Sequence, residues 1–249
     1  MRKVAFVLTP AASKRLIAKG VTALPEVQYA LKHGKIIVAG GTTNAYIAEE
    51  LSGRTIEKCR YTAGIVIDSA WGVTPADGRI TPLVLDKGEV STRPWLEVLG
   101  EFARGDVFVK GGNALDPEGI VGVLVSAKNG GTIGTAFGQI VSLGAHLIIP
   151  IGLEKLIPSV IDAANTLGQL EIDECSGLPC GLFPVVYGTV ITEIEAIQAL
   201  YGLEAVHVHS GGVGGSEGAV GLVAFGDSNA TRHLMQDIET LKNEPPTVR

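Results

Sequence analysis

The chain has 249 residues, of which 46% are hydrophobic and 18% charged. Ordinary domains carry roughly 25% charged residues, so long disorder and coiled coil are excluded, and the length fits one large domain or two small ones. Twenty basic residues against 26 acidic ones give a net charge of −6, and aromatics are only 5%. With no dense Lys/Arg run and few rings for base stacking, nucleic acid is not the expected partner.

Residues 4–8 form a short apolar run, and Thr9-Pro10 follows as a helix cap and first helical residue. Gly20 is expected to end that helix. Pro25 opens a second helix, with Gly34 as its terminator. Ile36-Ile37-Val38-Ala39 reads as a buried strand that runs directly into Gly40-Gly41-Thr42-Thr43-Asn44 and a helix through Leu51. Between residues 63 and 90 the apolar runs are short. Asp77-Gly78 and Lys87-Gly88 read as turns, so strands joined by hairpins are expected. A helix over 95–102 precedes the strand Val107-Phe108-Val109, which runs into Lys110-Gly111-Gly112-Asn113.

Beyond it, residues 121–125 are apolar, and Gly130-Gly131-Thr132 opens a helix with Ile133, Phe137, Ile140 and Val141 on one face. Leu147-Ile148-Ile149 is a strand, and Pro158 starts a helix ended by Gly168. Residues 169–184, with Pro179, Pro184 and two of the three cysteines, read as a linker. After it comes a strand over 185–191, then a helix with Thr192 and Glu195 as a capping box. Strands over 205–209 and 219–225 flank a glycine loop, and Ser228 is expected to cap a last helix. The tail from Asn243 is expected to fray. The alternation predicts an α/β fold: an open, mostly parallel sheet with helices on both faces over 1–184, plus a small C-terminal α+β subdomain over 185–249. The β-α-β-β-α order of the latter is ferredoxin-like.

Two loops carry the chemistry. Gly40, Gly41, Thr42, Thr43 and Asn44 offer backbone N–H groups at a helix start, where anions are favoured, against the plain reading of a tight turn. Lys110, Gly111, Gly112 and Asn113 combine a cation with a backbone nest, and Asp116 and Glu118 follow within nine residues. Glu118 or Asp116 would move a proton and Lys110 would hold the anion. Gly131 and Thr132 are a further ligand-binding candidate. His207 and His209, two apart on a strand, share one face in a regular strand and could ligate zinc with Glu217. Third-histidine and cysteine ligands are missing, so no metal and no cofactor are assigned. Cys175 and Cys180 are spaced wrongly for a CxxC pair and read as structural.

Residues 25–51 and 106–115, with their Gly-Gly-Thr-Thr-Asn and Lys-Gly-Gly-Asn loops, resemble the ribose-5-phosphate isomerase, sugar-phosphate deaminase and CoA-transferase superfamily. Residues 111–167, including Ile151-Gly152-Leu153-Glu154-Lys155-Leu156-Ile157-Pro158, also look like its lactate-utilisation branch. The resemblance implies a small anionic metabolite (a sugar phosphate, related acid or CoA ester), with isomerase or transferase chemistry and Glu118 as base. Pro117 and Gly119 stand where that motif has Arg and Lys, and Asp68-Ser69-Ala70 is a reduced form of an acidic signature. A catalytically silent metabolite sensor or assembly protein therefore stays open. No leader or membrane-length apolar run is read, so a cytoplasmic homo-oligomer is expected.

Overall fold

A computed structural model describes residues 1–247. In chain order it has β1 (Arg2–Leu8), α1 (Pro10–Ala23), α2 (Pro25–His33), β2 (Lys35–Val38), α3 (Thr42–Ser52), β3 (Gly64–Ile67), β4 (Ala70–Val73), β5 (Leu83–Asp86) and β6 (Glu89–Ser91). There follow α4 (Trp95–Gly100), β7 (Val107–Val109), β8 (Ala114–Leu115), β9 (Val121–Val125), α5 (Gly131–Leu143), β10 (His146–Pro150) and α6 (Val160–Thr166). The last elements are β11 (Gly181–Val185), β12 (Thr189–Ile191), α7 (Glu193–Tyr201), β13 (Glu204–Ser210), β14 (Val220–Gly226) and α8 (Ser228–Leu241).

The main sheet has six strands in the order β12-β10-β7-β2-β5-β6. The first four are parallel to one another, while β5 and β6 complete it antiparallel. Strands buried on both faces should be continuous apolar runs, and Val107, Phe108 and Val109 are all fully buried between helices. The α/β class is as expected. No helix among the described residues is long and apolar enough to cross a membrane.

Sheet membership crosses the expected division at 184/185. β12 belongs to the main sheet, whereas β1, from the other end of the chain, pairs antiparallel along its whole length with β14. The small sheet is β1-β14-β13, so its third strand comes from the N-terminus rather than from residues 185–191. That segment is two strands, parted where Gly188 turns at φ +119° with Leu147 O against it.

Residues 169–184 are not merely a linker. Gly181–Val185 pairs antiparallel with β9, and Gly177 bridges Trp71. The prolines hid this strand, because Pro184 sits in an edge strand, where its missing N–H is tolerated.

Gly20 does not end α1, which continues to Ala23. A Cβ at Gly20 would stand 2.5 Å from Ala196 Cβ, so this glycine lets α1 and α7 touch. Asp227, not Ser228, caps α8, accepting from the N–H groups of Asn229 and Ala230. The tail is tied down through Glu244, whose carboxylate takes Arg15 Nε at 3.0 Å and Nη2 at 2.9 Å.

Candidate functional site at the carboxyl edge

Register fixes where the two glycine loops emerge. Val38 lies beside Val109 in parallel β2 and β7, Ile148 beside Val109, and Ile191 beside Pro150. The segments after β2, β7, β10 and β12 therefore leave one edge of the sheet, the carboxyl edge where open α/β folds place ligands. Four loops meet there: 40–44, 110–113, 151–155 and 192–193.

The first loop turns tightly because Gly41 donates its N–H to Tyr61 O at 2.9 Å, while a Cβ on Gly40 would press on the same carbonyl at 3.0 Å. Tyr61 is itself locked, donating its hydroxyl to Val38 O and accepting from Leu83 N–H. α3 then begins with no side-chain cap on its first turn. Its leading N–H groups, on Thr42, Thr43 and Asn44, are the free positive end of an eleven-residue helix.

Asn44 is fully buried between the two loops. Its Nδ2 donates to Ala39 O at 2.7 Å and to Val109 O at 3.4 Å, which fixes its orientation. Its Oδ1 is buried and has no hydrogen-bond partner. That atom faces Gly111, 3.3 Å from where a Cβ would stand. Satisfying a buried acceptor is worth about 1–3 kcal/mol, so a hydrogen-bond donor reaching this oxygen would be held there.

The second loop is glycine for want of space. A Cβ on Gly112 would lie 2.2 Å from Val121 Cγ1 and 3.0 Å from Ile151 Cδ1. Lys110 donates to Gly111 O at 2.9 Å, and Lys155, from the third loop, donates to Gly112 O at 2.7 Å. Neither ammonium has a carboxylate partner among the described residues. Both side chains keep a strip of surface yet are deep enough to lose most hydration. Desolvation, with the Lys155 charge nearby, lowers the Lys110 pKa to about 8. Desolvation, with Lys14 nearby, lowers that of Lys155 to about 8 against the pull of Glu154 and Glu193.

The acids here do not cancel this charge. Glu154 is taken by Lys14 at 3.0 Å. Glu193, at the first position of α7, is fully buried, and burial pushes its pKa up toward the neutral form. It accepts from the Ser13 hydroxyl and from Leu153 N–H. The glycine loop before β14 closes the rim, where a Cβ on Gly218 would stand 3.2 Å from Glu154 Oε2 and 3.4 Å from Pro10 Cγ.

The structure brings Gly40, Gly41, Thr42, Thr43, Asn44, Lys110, Gly111 and Gly112 to this edge. The others go elsewhere. Asp116 is a buried structural acceptor, taking Ile120 N–H and Val160 N–H at 2.9 Å each. Glu118 is exposed on the turn between β8 and β9. Asn113 turns to β9, where its Oδ1 accepts from Leu124 N–H. Gly131 and Thr132 start α5 after β9, a strand of the separate β11-β9-β8 sheet. A bulge between His207 and His209 shifts their register, pairing the first with Leu222 and the second with Gly221. Neighbouring partners face opposite sides, so the two rings do not share a face. Glu217 instead accepts from Gly215 N–H.

Sequence reasoning missed Lys14, Ser13, Glu154, Lys155 and Glu193. Lys155 had a usable signal, since it stands in the segment that follows the strand 147–149. Glu193 was masked by the capping box of Thr192 and Glu195 that surrounds it. Two surface grooves, one by Trp71 and Cys175 and one between Pro25 and Ile194, are lined by none of Asn44, Lys110 and Lys155, nor by any other cation. No family model, curated protein or solved structure matches the chain.

Proposed function

We propose that the protein binds a small anionic metabolite carrying a hydroxyl or amine, such as a sugar phosphate, a related hydroxy acid or a CoA ester, at the carboxyl edge of the main sheet. The observation that carries the reading is the convergence of the uncapped α3 N-terminus, the unpaired Lys110 and Lys155, and the orphaned Asn44 Oδ1. Like charges facing one another repel, and an anion between them removes that repulsion. The orphaned oxygen accepts only from a donor, so sulfate, which has none, would use half of the site. A ligand with an anionic end and a hydroxyl would use both.

Should the site catalyse proton transfer, Lys110 is the better base than Glu118. Its pKa of about 8 lies near neutrality, and it stands in the site rather than on an exposed turn. The silent-sensor reading draws support from Asp116, whose two oxygens are both spent on backbone N–H groups. A thermal-shift panel of sugar phosphates, hydroxy acids, acyl-CoAs and nucleotides tests the binding. At least one hydroxylated anion should raise the melting temperature more than sulfate does. A flat response across the panel contradicts the reading. Turnover of the stabilising ligand separates enzyme from sensor.

A further inference from the structure

The small β1-β14-β13 sheet has helices on one face only. α8 packs beneath it with Leu234, Ile238 and Leu241 buried, beneath Phe6, Leu8, Leu222 and Ala224. The outer face carries three rows of side chains, read from the pairing register. Lys3, Phe225 and Glu204 form the first, Ala5, Val223 and Val206 the second, and Val7, Gly221 and His209 the third. Val7 is 46% exposed, Val206 49% and the bulged Val208 56%. Valines so placed on a sheet whose other face is filled constitute an apolar patch of the kind that marks an interface.

We propose that this face is the interface of a two-fold dimer of the chain, with a second copy packed sheet on sheet. The charges argue for that occupant. A half-turn about an axis along β14 lays β1 of one copy over β13 of the other and keeps the rows in step. The row Lys3–Phe225–Glu204 then meets its own reverse, so each Lys3 faces Glu204 of the second copy, twice. In the second row the small Ala5 meets Val206, and in the third Val7 meets His209. Such self-complementarity is what an isologous interface requires, and aligned stacking of twisted sheets is a common packing. Among the described residues Lys3 and Glu204 have no ion pair within the chain. Lys3 instead lies across the face, 5.7 Å from the Phe225 ring centre. The half-turn that exchanges the strand ends sets Lys3 over Val7 and leaves its charge unmatched.

Sedimentation of the full chain, with the melting temperature as a fold control, tests this. The wild type should be a dimer at micromolar concentration. Val206→Lys, which seats a charge in the apolar row, should be monomeric with an unchanged melt of the monomer. Lys3→Glu should weaken the dimer on the order of tenfold or more, by opposing two carboxylates. The double variant Lys3→Glu with Glu204→Lys should restore it to near the wild-type constant. A monomeric wild type, a dimer indifferent to Val206→Lys, or a double variant no tighter than Lys3→Glu would each overturn the proposal. If Val206→Lys fails to fold, Val7→Lys on the other edge strand replaces it and must also give monomer.

Discussion

Asn44 presses its side-chain oxygen against Gly111, 3.3 Å from where a Cβ would stand, and so joins the loop after β2 to the loop after β7. The same residue donates to Ala39 O and Val109 O, the last carbonyls of those strands' runs. One buried amide thus holds two strand ends, and its Oδ1 is left without a hydrogen-bond partner among the described residues.

Removing the site's cations should separate binding from folding. Lys110→Met and Lys155→Met each delete an ammonium that lacks a carboxylate partner, so stability should hold or rise. Anion affinity should fall by roughly 10- to 150-fold, since a charge-assisted hydrogen bond contributes roughly 1.5–3 kcal/mol. Glu118→Gln, on an exposed turn, should leave affinity unchanged. Calorimetric titration with paired denaturation curves checks all three.

Both lysines also set a pH dependence. Their pKa falls from 10.5 to about 8 in the folded chain, so above pH 8 the unfolded chain binds more protons than the folded one. Stability should therefore rise between about pH 8 and 10.5 from this source, while below pH 8 the full cost of the buried charges remains. Lys14, Glu154 and Glu193, which face the same space, modulate the midpoint. Anion affinity should run the opposite way and weaken as the pH passes 8. Denaturation and titration at pH 7 and 9.5 give the two signs, and Lys110→Met should reduce both, leaving the Lys155 contribution.

Glu193 tests the buried acid. Glu193→Gln keeps an acceptor for Leu153 N–H and a donor for the Ser13 oxygen, so it should cost little or stabilise. Glu193→Ala strands both partners and should lose about 1–3 kcal/mol. Urea midpoints compare the two. Equal losses would mean that the carboxylate charge itself is required.

Gly20 and Gly112 are glycines by contact, at Ala196 and at Val121. Gly20→Ala and Gly112→Ala should each destabilise by about 1–3 kcal/mol as the packed neighbours shift. Gly41→Ala should be tolerated, because the Cβ would meet only Asn44 at an ordinary 3.6 Å.

Much of this architecture was legible in the sequence. Apolar runs ending in glycine loops located β2, β7 and β10, and their parallel pairing put Gly40–Asn44 and Lys110–Gly112 on one edge. What was not legible is non-local. Nothing in residues 2–8 says that they pair with 220–226, because the pairing joins the two ends of the chain. Pro184 disguised β11, since proline in an edge strand looks like a linker. Glu118 reads as a base from its place after Lys110 and from the family resemblance, but the hairpin of β8 and β9 carries it out to solvent. Glu193 and Ser13 meet across 180 positions, a separation no local pattern reports.

The shared anion site is tested most directly by following backbone amide resonances while a hydroxylated phosphate ester is titrated into the full chain. The account predicts saturable shifts at Thr42, Thr43, Asn44, Gly111 and Gly112, with matching changes at Lys155 and Leu153, and a half-saturation concentration at least tenfold higher in Lys110→Met. Shifts confined to Gly131 and Thr132 or to the 211–218 loop, or none at saturating concentration, would contradict it.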